Sequence, residues 1–439
     1  MSLADNPLMA FTALPRFEDI KPEHSELAIR AVLERAEGAL TQLESNVVPT
    51  WDGLMAPAYR ISQPLDFAWG LICHYMAVLN SPAWRDAHEK LQPDVVAFSL
   101  RMCQSDTLFS AMKTMRNTNT YATLTGPRKR ILDSAIRAAE LSGVGLDGES
   151  KMQFNAIQAR LALLSTTFTN HVLDARKSFH LTLRDTSEVA GLPQTLLKLM
   201  AEAQQADGQE TSDLKHGPWK LTLDLPVLVP FMKYSERRDL REKLYRAHIT
   251  LASDGDFDNA PVIDEILALR SEMARLLGYE HYADVSLATK MAQNVSAVDD
   301  LLETLRRAAY PRAIKDRNEL RDFAQAQGCD EELMHWDFSF WQEKLRESRF
   351  DFTDESLRPY FQFPRVLQGL FQLTEKLFGV TIINSDGETQ VWHPDVRFFH
   401  VHDGNGDPLA SFYLDPYSRP GTKQSGAWMA PVLPRDTTV

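Results

Sequence analysis

Imidazoles beside carboxylates are the side chains from which acid–base and metal chemistry is most readily built, and this chain of 439 residues carries twelve histidines. One of them opens a His-Glu pair. His88-Glu89-Lys90-Leu91-Gln92 imitates the HExxH helix of zinc proteases, but its fifth position is Gln92. Helical spacing would put the first and fifth side chains on one face, yet a carboxamide is a poor zinc ligand, so the segment reads as an ordinary helical turn. His400 and His402 stand two apart in an expected strand and therefore point to one side, within reach of a metal or a substrate. No third ligand lies near them, which favours a solvent-facing or core role. Asp403, Asn405 and Asp407 copy the opening of a calcium loop, but Pro408 stands where that loop needs Gly and Leu414 where it needs Glu. A hairpin turn is the better reading. GxSxG elbows, Walker phosphate loops and complete dinucleotide fingerprints are absent.

The elements that must position these residues are mostly helical. Apolar residues recur at helical intervals over Lys21–Val47, Leu65–Leu79, Pro93–Met115, Pro127–Leu141 and Glu149–Arg176. Breaks are expected at Pro64, at Ser81-Pro82 and at Gly143-Val144-Gly145. Phe179–Leu183 and Trp219–Leu225 alternate apolar and polar residues and read as strands flanking a polar helix and loop that includes Gln204–Gly217. Helical periodicity resumes over Ser235–Thr250, Pro261–Leu277, Ser296–Gln327 and Phe338–Ser348, with Asn294 placed to cap the third of these. Trp336, Phe338, Phe340 and Trp341 sit at near-helical spacing and read as core. Gln390–His402 and Leu409–Tyr413 then flank the Asp403–Asp407 turn as a β-hairpin. The fold class is mainly α with a small late antiparallel sheet or hairpin, in three regions: 1–150, 151–350 with its β excursion near 179–225, and 351–439 with the hairpin near 390–414.

Lys and Arg total 47 against 60 Asp and Glu, a net charge of −13, so there is no basic excess to displace counterions from nucleic acid or to hold an anionic membrane. The least charged stretch, Phe67–Trp84, is too short in its apolar part to cross a bilayer. The N-terminus has no basic start followed by an apolar run and cleavage site, which makes the cytoplasm the expected compartment. Cys73, Cys103 and Cys329 show no CxxC pairing or zinc-ribbon spacing and are expected to be reduced thiols in the core.

From Phe412 to Met429 the chain reads FYLDPYSRPGTKQSGAWM. This stretch resembles the Tyr-x-Asp-x-Tyr-x-Arg…Lys…Gly-Ala-Trp-Met signature of the thimet oligopeptidase/oligopeptidase A family of zinc metallopeptidases. Leu164–Ala175, Asp258-Asn259, Leu269-Arg270, Ala274–Tyr279, Lys290–Ala292 and Leu357–Phe361 are similar to the same family in the same order. Pro416, Leu251, Gln424 and Ser425 depart from the usual pattern and suggest a sub-branch. The resemblance implies a clam-shell of helical lobes around a channel that admits short peptides, with 351–439 the start of the catalytic lobe. It also implies a zinc held by two His and one Glu in a complete relative. In the family the HExxH helix follows the Gly-Ala-Trp-Met motif by some tens of residues, whereas ten follow Met429 here. The expectation is therefore a chain truncated before its zinc helix, with no metal bound, no catalytic residue of its own and no activity alone, possible partners being short peptides and the downstream segment. The alternative is a non-catalytic helical peptide-binding protein.

Within the signature, Asp415, Tyr417 and Arg419 alternate, so extended backbone would aim them to one side, with Arg419 able to pair with Asp415 or with a peptide carboxylate. Asp415 and Tyr417 are read as a structural clamp. Gly426-Ala427 offers backbone free of bulk along which a peptide could lie as an added strand, and Trp428 supplies an apolar face. Arg419, Gly426, Ala427 and Trp428 are the candidate substrate-binding residues; close packing against a neighbouring element is the alternative for the last three.

Overall fold

The computed structural model describes residues 2–11, 13–206, 208, 212–419 and 421–434. Seven helices come first: α1 (Ser25–Ser45), α2 (Ala56–Val78), α3 (Pro82–Cys103), α4 (Asp106–Arg116), α5 (Asn119–Thr123), α6 (Gly126–Leu141) and α7 (Gly148–Ser178). A two-stranded excursion follows, in which β1 (His180–Leu183) pairs antiparallel with β2 (Trp219–Thr222) around α8 (Gln194–Ala206). The next helices are α9 (Leu225–Tyr234), α10 (Arg238–Ile249), α11 (Ala260–Leu276), α12 (Tyr282–Leu287), α13 (Val295–Ala326), α14 (His335–Phe350), α15 (Asp354–Leu357) and α16 (Phe363–Phe378). The chain then forms a three-stranded antiparallel sheet of β3 (Thr381–Asn384), β4 (Arg397–His402) and β5 (Pro408–Leu414), with β4 central. The mainly α class with a small late sheet is as expected from the sequence.

Local chemistry sets the helix ends. Ser81 accepts from the Trp84 N–H at 3.4 Å with Pro82 at the first helical position, and Asn294 accepts from the Ala297 N–H at 2.9 Å. Two expected boundaries need correction. Pro64 lies inside α2 and does not end it, because Ile61, Leu65, Phe67 and Ala68 around it are all buried and packing outweighs the lost hydrogen bond. The expected Pro93–Met115 helix is two: Pro93 sits within α3, and Ser105 starts α4 by accepting from the Leu108 N–H at 3.3 Å. Five helices and one strand go beyond the periodicity reading, namely α5, α9, α12, α15, α16 and β3. The strand expected from Gln390 begins only at Arg397, and the one expected to reach Leu225 stops at Thr222.

The thiols also need correction. Cys103, the last residue of α3, is exposed, and Cys73 and Cys329 are only half-buried. Trp336 and Phe340 are buried as expected, while Phe338 and Trp341 lie at the margin. Thr437-Thr438-Val439, too short a match to mark a C-terminal ligand for a partner domain, lie outside the described residues.

Two packing facts place the late sheet. Successive strand residues face opposite sides, so Phe399 meets Phe371 of α16 at 5.1 Å between ring centroids, while Phe398 meets Tyr413 at 4.9 Å on the other face. That second face joins the N-terminal core through Trp392, whose ring stands 4.9 Å from Phe17 and 4.2 Å from His74 of α2. The end of β5 is thereby delivered to the C-terminal half of α2.

Candidate functional site

Beyond β5 the chain turns into Asp415, whose carboxylate collects three donors. Arg419 binds it through both terminal nitrogens at 2.7 and 2.5 Å, Trp392 Nε1 donates at 2.9 Å, and Lys423 Nζ lies 3.0 Å away. Burial opposes the charge on Asp415, but these donors outweigh it and hold the carboxyl at about 2. Lys423 also donates to the carbonyls of Asp415 at 2.9 Å and Tyr417 at 2.8 Å, so one ammonium closes the loop on itself. His74 is lowered to about 4, first by burial and further by Arg419 and Lys423, with Asp415 opposing. It is therefore neutral at pH 7.

The same loop is fastened to two helices. The Asn80 N–H donates to the Thr422 carbonyl at 2.8 Å, and the Gln424 N–H donates to the Ala77 carbonyl at 2.7 Å, at the end of α2. Arg176 of α7 donates to Ser425 Oγ. Asn80 in turn accepts from Arg85 Nε at 2.7 Å, and Arg85 grips Asp174 of α7 bidentately at 2.6 and 2.7 Å, tying α3 to α7 beneath the loop. Gly421 has φ +84°, a left-handed conformation that favours glycine; an added Cβ would stand 2.7 Å from Lys177 Cε, a contact that movement of the flexible lysine side chain relieves.

Between the loop, the end of α7 and the β1–β2 pair lies a cavity of about 230 Å³, lined by Arg176, Lys177, Lys220, Lys423, Thr222 and Asp224 among others. Four cations surround one carboxylate there. Asp224 is raised by burial, an effect its hydrogen bond from Thr222 opposes. Arg176 Nε is buried with no hydrogen-bond partner among the described residues. Chemically, the cavity suits an acceptor such as a carboxylate or a peptide carbonyl.

The structure brings Asp415 and Arg419 together and adds Lys423, Trp392, His74 and Arg176, to which the sequence reading gave no role. Lys423 stands four residues after Arg419, a spacing that could have suggested it. Tyr417 gives the cluster its carbonyl while its side chain, half exposed, turns to Phe363 of α16 at 6.1 Å between centroids. Gly426, Ala427 and Trp428 lie on the surface, with Gly426 at φ +106° and Lys423 Nζ 6.0 Å from the Trp428 ring.

The remaining histidine candidates have structural partners. His88 is buried against Trp69, ring centroids 4.6 Å apart, while Gln92 donates to the Ala162 carbonyl at 3.2 Å and to Thr166 Oγ1 at 3.1 Å across the α3–α7 contact. His400 bridges Ser411 at 2.7 Å and Glu388 at 2.9 Å, and His402 donates to the Gly406 carbonyl at 3.0 Å. Asp403 accepts from the N–H groups of Asn405 and Asp407 at 2.8 and 2.9 Å, which makes the hairpin turn. Among the described residues, no group of three or more His, Cys, Asp or Glu is placed to hold a metal ion. The donor set present thus does not fit a zinc centre of two His and one Glu.

Residues 231–438 match the profile described as Peptidase family M3, and residues 29–151 match the one described as Neurolysin/Thimet oligopeptidase, N-terminal domain. "Probable cytosolic oligopeptidase A" of Arabidopsis thaliana is 44% identical over 436 residues, 99% of this chain and 62% of that protein. The chain belongs to peptidase family M3. This M3 chain is also 44% identical to "Organellar oligopeptidase A, chloroplastic/mitochondrial" of the same plant, over 99% of its length and 55% of the relative. "Oligopeptidase A" of Salmonella typhimurium is 39% identical, over 97% of this chain and 62% of that protein. The chain therefore spans about 55 to 62% of the length of these relatives. Among the described residues, no helix is long and apolar enough to cross a membrane.

Proposed function

We propose that this chain is the peptide-holding part of a zinc metalloendopeptidase of the oligopeptidase A type acting on short peptides, and that the zinc donors belong to the part of such enzymes that the match does not reach. The observation that carries this reading is the 44% identity maintained over 436 residues with a protein named as an oligopeptidase A. On this reading, residues 1–150 are a helical region, 151–350 a helical body, and 351–439 the opening of the catalytic lobe. The Asp415–Arg419–Lys423 loop works as a clamp that holds Gly426, Ala427 and Trp428 along the peptide path, and the cytoplasm is the compartment. The cationic cavity beside Arg176 supports a substrate presenting carbonyls or a carboxylate.

The test measures zinc content and cleavage of an internally quenched peptide by the 439-residue chain, alone and mixed with the unmatched part of the Arabidopsis relative. Turnover that needs both polypeptides is expected. Micromolar peptide binding without turnover in any mixture would favour the non-catalytic binding protein.

A further inference from the structure

α16 is apolar on two sides, and only one is covered. Phe371 packs on Phe399 and Phe412 of the late sheet, and Leu367 is the one buried residue of the helix. On its other side Phe363, Val366, Leu370, Leu373 and Leu377 succeed one another at alternating spacings of three and four, and they are 37, 48, 54, 51 and 63% exposed. A 3–4 apolar stripe is the seam one helix presents to another, and a free helix surface would be polar at these positions. α13 repeats the condition. Its buried residues are Leu320 and Ala324, near its C-terminal end, while Leu301, Leu302 and Leu305 in its first half are each more than half exposed. Contiguous apolar surface of this kind marks an interaction site.

We propose that the α16 seam is the docking surface for a helix from the part of the M3 relatives that lies outside the match, seated on Val366, Leu370, Leu373 and Leu377. Length supports this occupant: the match takes up 99% of this chain but 62% of the Arabidopsis cytosolic relative, so more than a third of that protein has no counterpart here. Position supports it too. Phe363, at the start of the seam, touches Tyr417, whose carbonyl holds Lys423, so a helix on the seam adjoins the candidate site. A second copy of the chain is disfavoured because it would bring two bodies of net charge −13 together. The inference rests on the proposed function in taking its occupant from the part assigned the zinc donors.

The test co-expresses the 439-residue chain with the unmatched part of the Arabidopsis cytosolic relative and co-purifies them on a tag carried by the 439-residue chain. A one-to-one complex is expected, with amide exchange across 363–378 slowed at least tenfold relative to the chain alone. Replacing Leu370→Glu and Leu373→Glu together should lower the yield of complex at least tenfold while leaving the thermal melt of the chain alone unchanged, both side chains being more than half exposed. Absence of a complex, unchanged exchange at 363–378, or a complex that survives the double replacement overturns the proposal. A dimer of the chain alone that the double replacement abolishes assigns the seam to a second copy and overturns it as well. Peptide cleavage is read separately: a complex that cleaves peptide but is insensitive to the double replacement leaves the functional reading standing and removes only the seam.

Discussion

Replacing Asp415 with Asn removes the one negative charge on which Arg419 and Lys423 converge. The magnitude follows from the site. The Asp415 and Arg419 side chains are 10 and 11% exposed, and the carboxyl is held at about 2 against an ordinary 3.8. At about 1.4 kcal/mol per pH unit, that difference is worth about 2 kcal/mol of folding stability at neutral pH. Stranding two cations in a poorly solvated site adds to this, and removing one partner of a buried pair commonly costs about 3–5 kcal/mol. Asp415→Asn is therefore expected to lower stability by about 3 kcal/mol at pH 7, measured by urea unfolding. The sign with pH follows from the lowered carboxyl: its contribution is complete above about pH 4 and is lost as the pH falls towards 2, where the folded state must also take up the proton. The variant has no carboxyl to titrate and should lack that limb. A loss below about 1 kcal/mol at pH 7, together with an unchanged acid limb, would refute the clamp as a source of stability.

Two further perturbations probe separate links. His74 is held at about 4 against an ordinary 6.5, so between those values the unfolded chain binds a proton the folded chain refuses, and stability should fall as pH drops from 6.5 to 4, by up to about 3 kcal/mol. His74→Phe, which keeps a ring against Trp392, should flatten that limb in urea midpoints taken across the range; an identical slope would contradict the assignment. Gly191 has φ +81°, and an added Cβ would lie 2.4 Å from the Tyr234 carbonyl oxygen, so Gly191→Ala should cost about 2 kcal/mol or more in thermal unfolding, whereas a loss under about 0.5 kcal/mol would show that the backbone yields freely there.

How much was legible in the sequence depended on whether a contact was local. α1, α6, α7 and α11 follow apolar spacing that a single segment carries, so their ends agree with expectation within a few residues. α9 hides because Leu225-Pro-Val-Leu-Val-Pro-Phe-Met is nearly continuous apolar sequence with two prolines, and Val227, Leu228, Phe231 and Met232 are all buried. A run with no polar face has no helical period to read. Pro64 signalled a break and Pro93 a helix start, yet both lie inside helices, α2 and α3. In the site, the Asp415–Arg419 pair was accessible from its spacing of four. His74, Trp392 and Arg176 were not, because they reach the loop from distant parts of the chain through the docking of the late sheet on α2 and of the loop on α7.

Zinc-dependent cleavage of a quenched peptide tests the central claim most directly. The account predicts that the 439-residue chain alone neither retains zinc after dialysis nor cleaves, and that chelator-sensitive cleavage appears once the unmatched part of an M3 relative is supplied. Stoichiometric zinc held by this chain alone, with cleavage that a chelator abolishes, would contradict it.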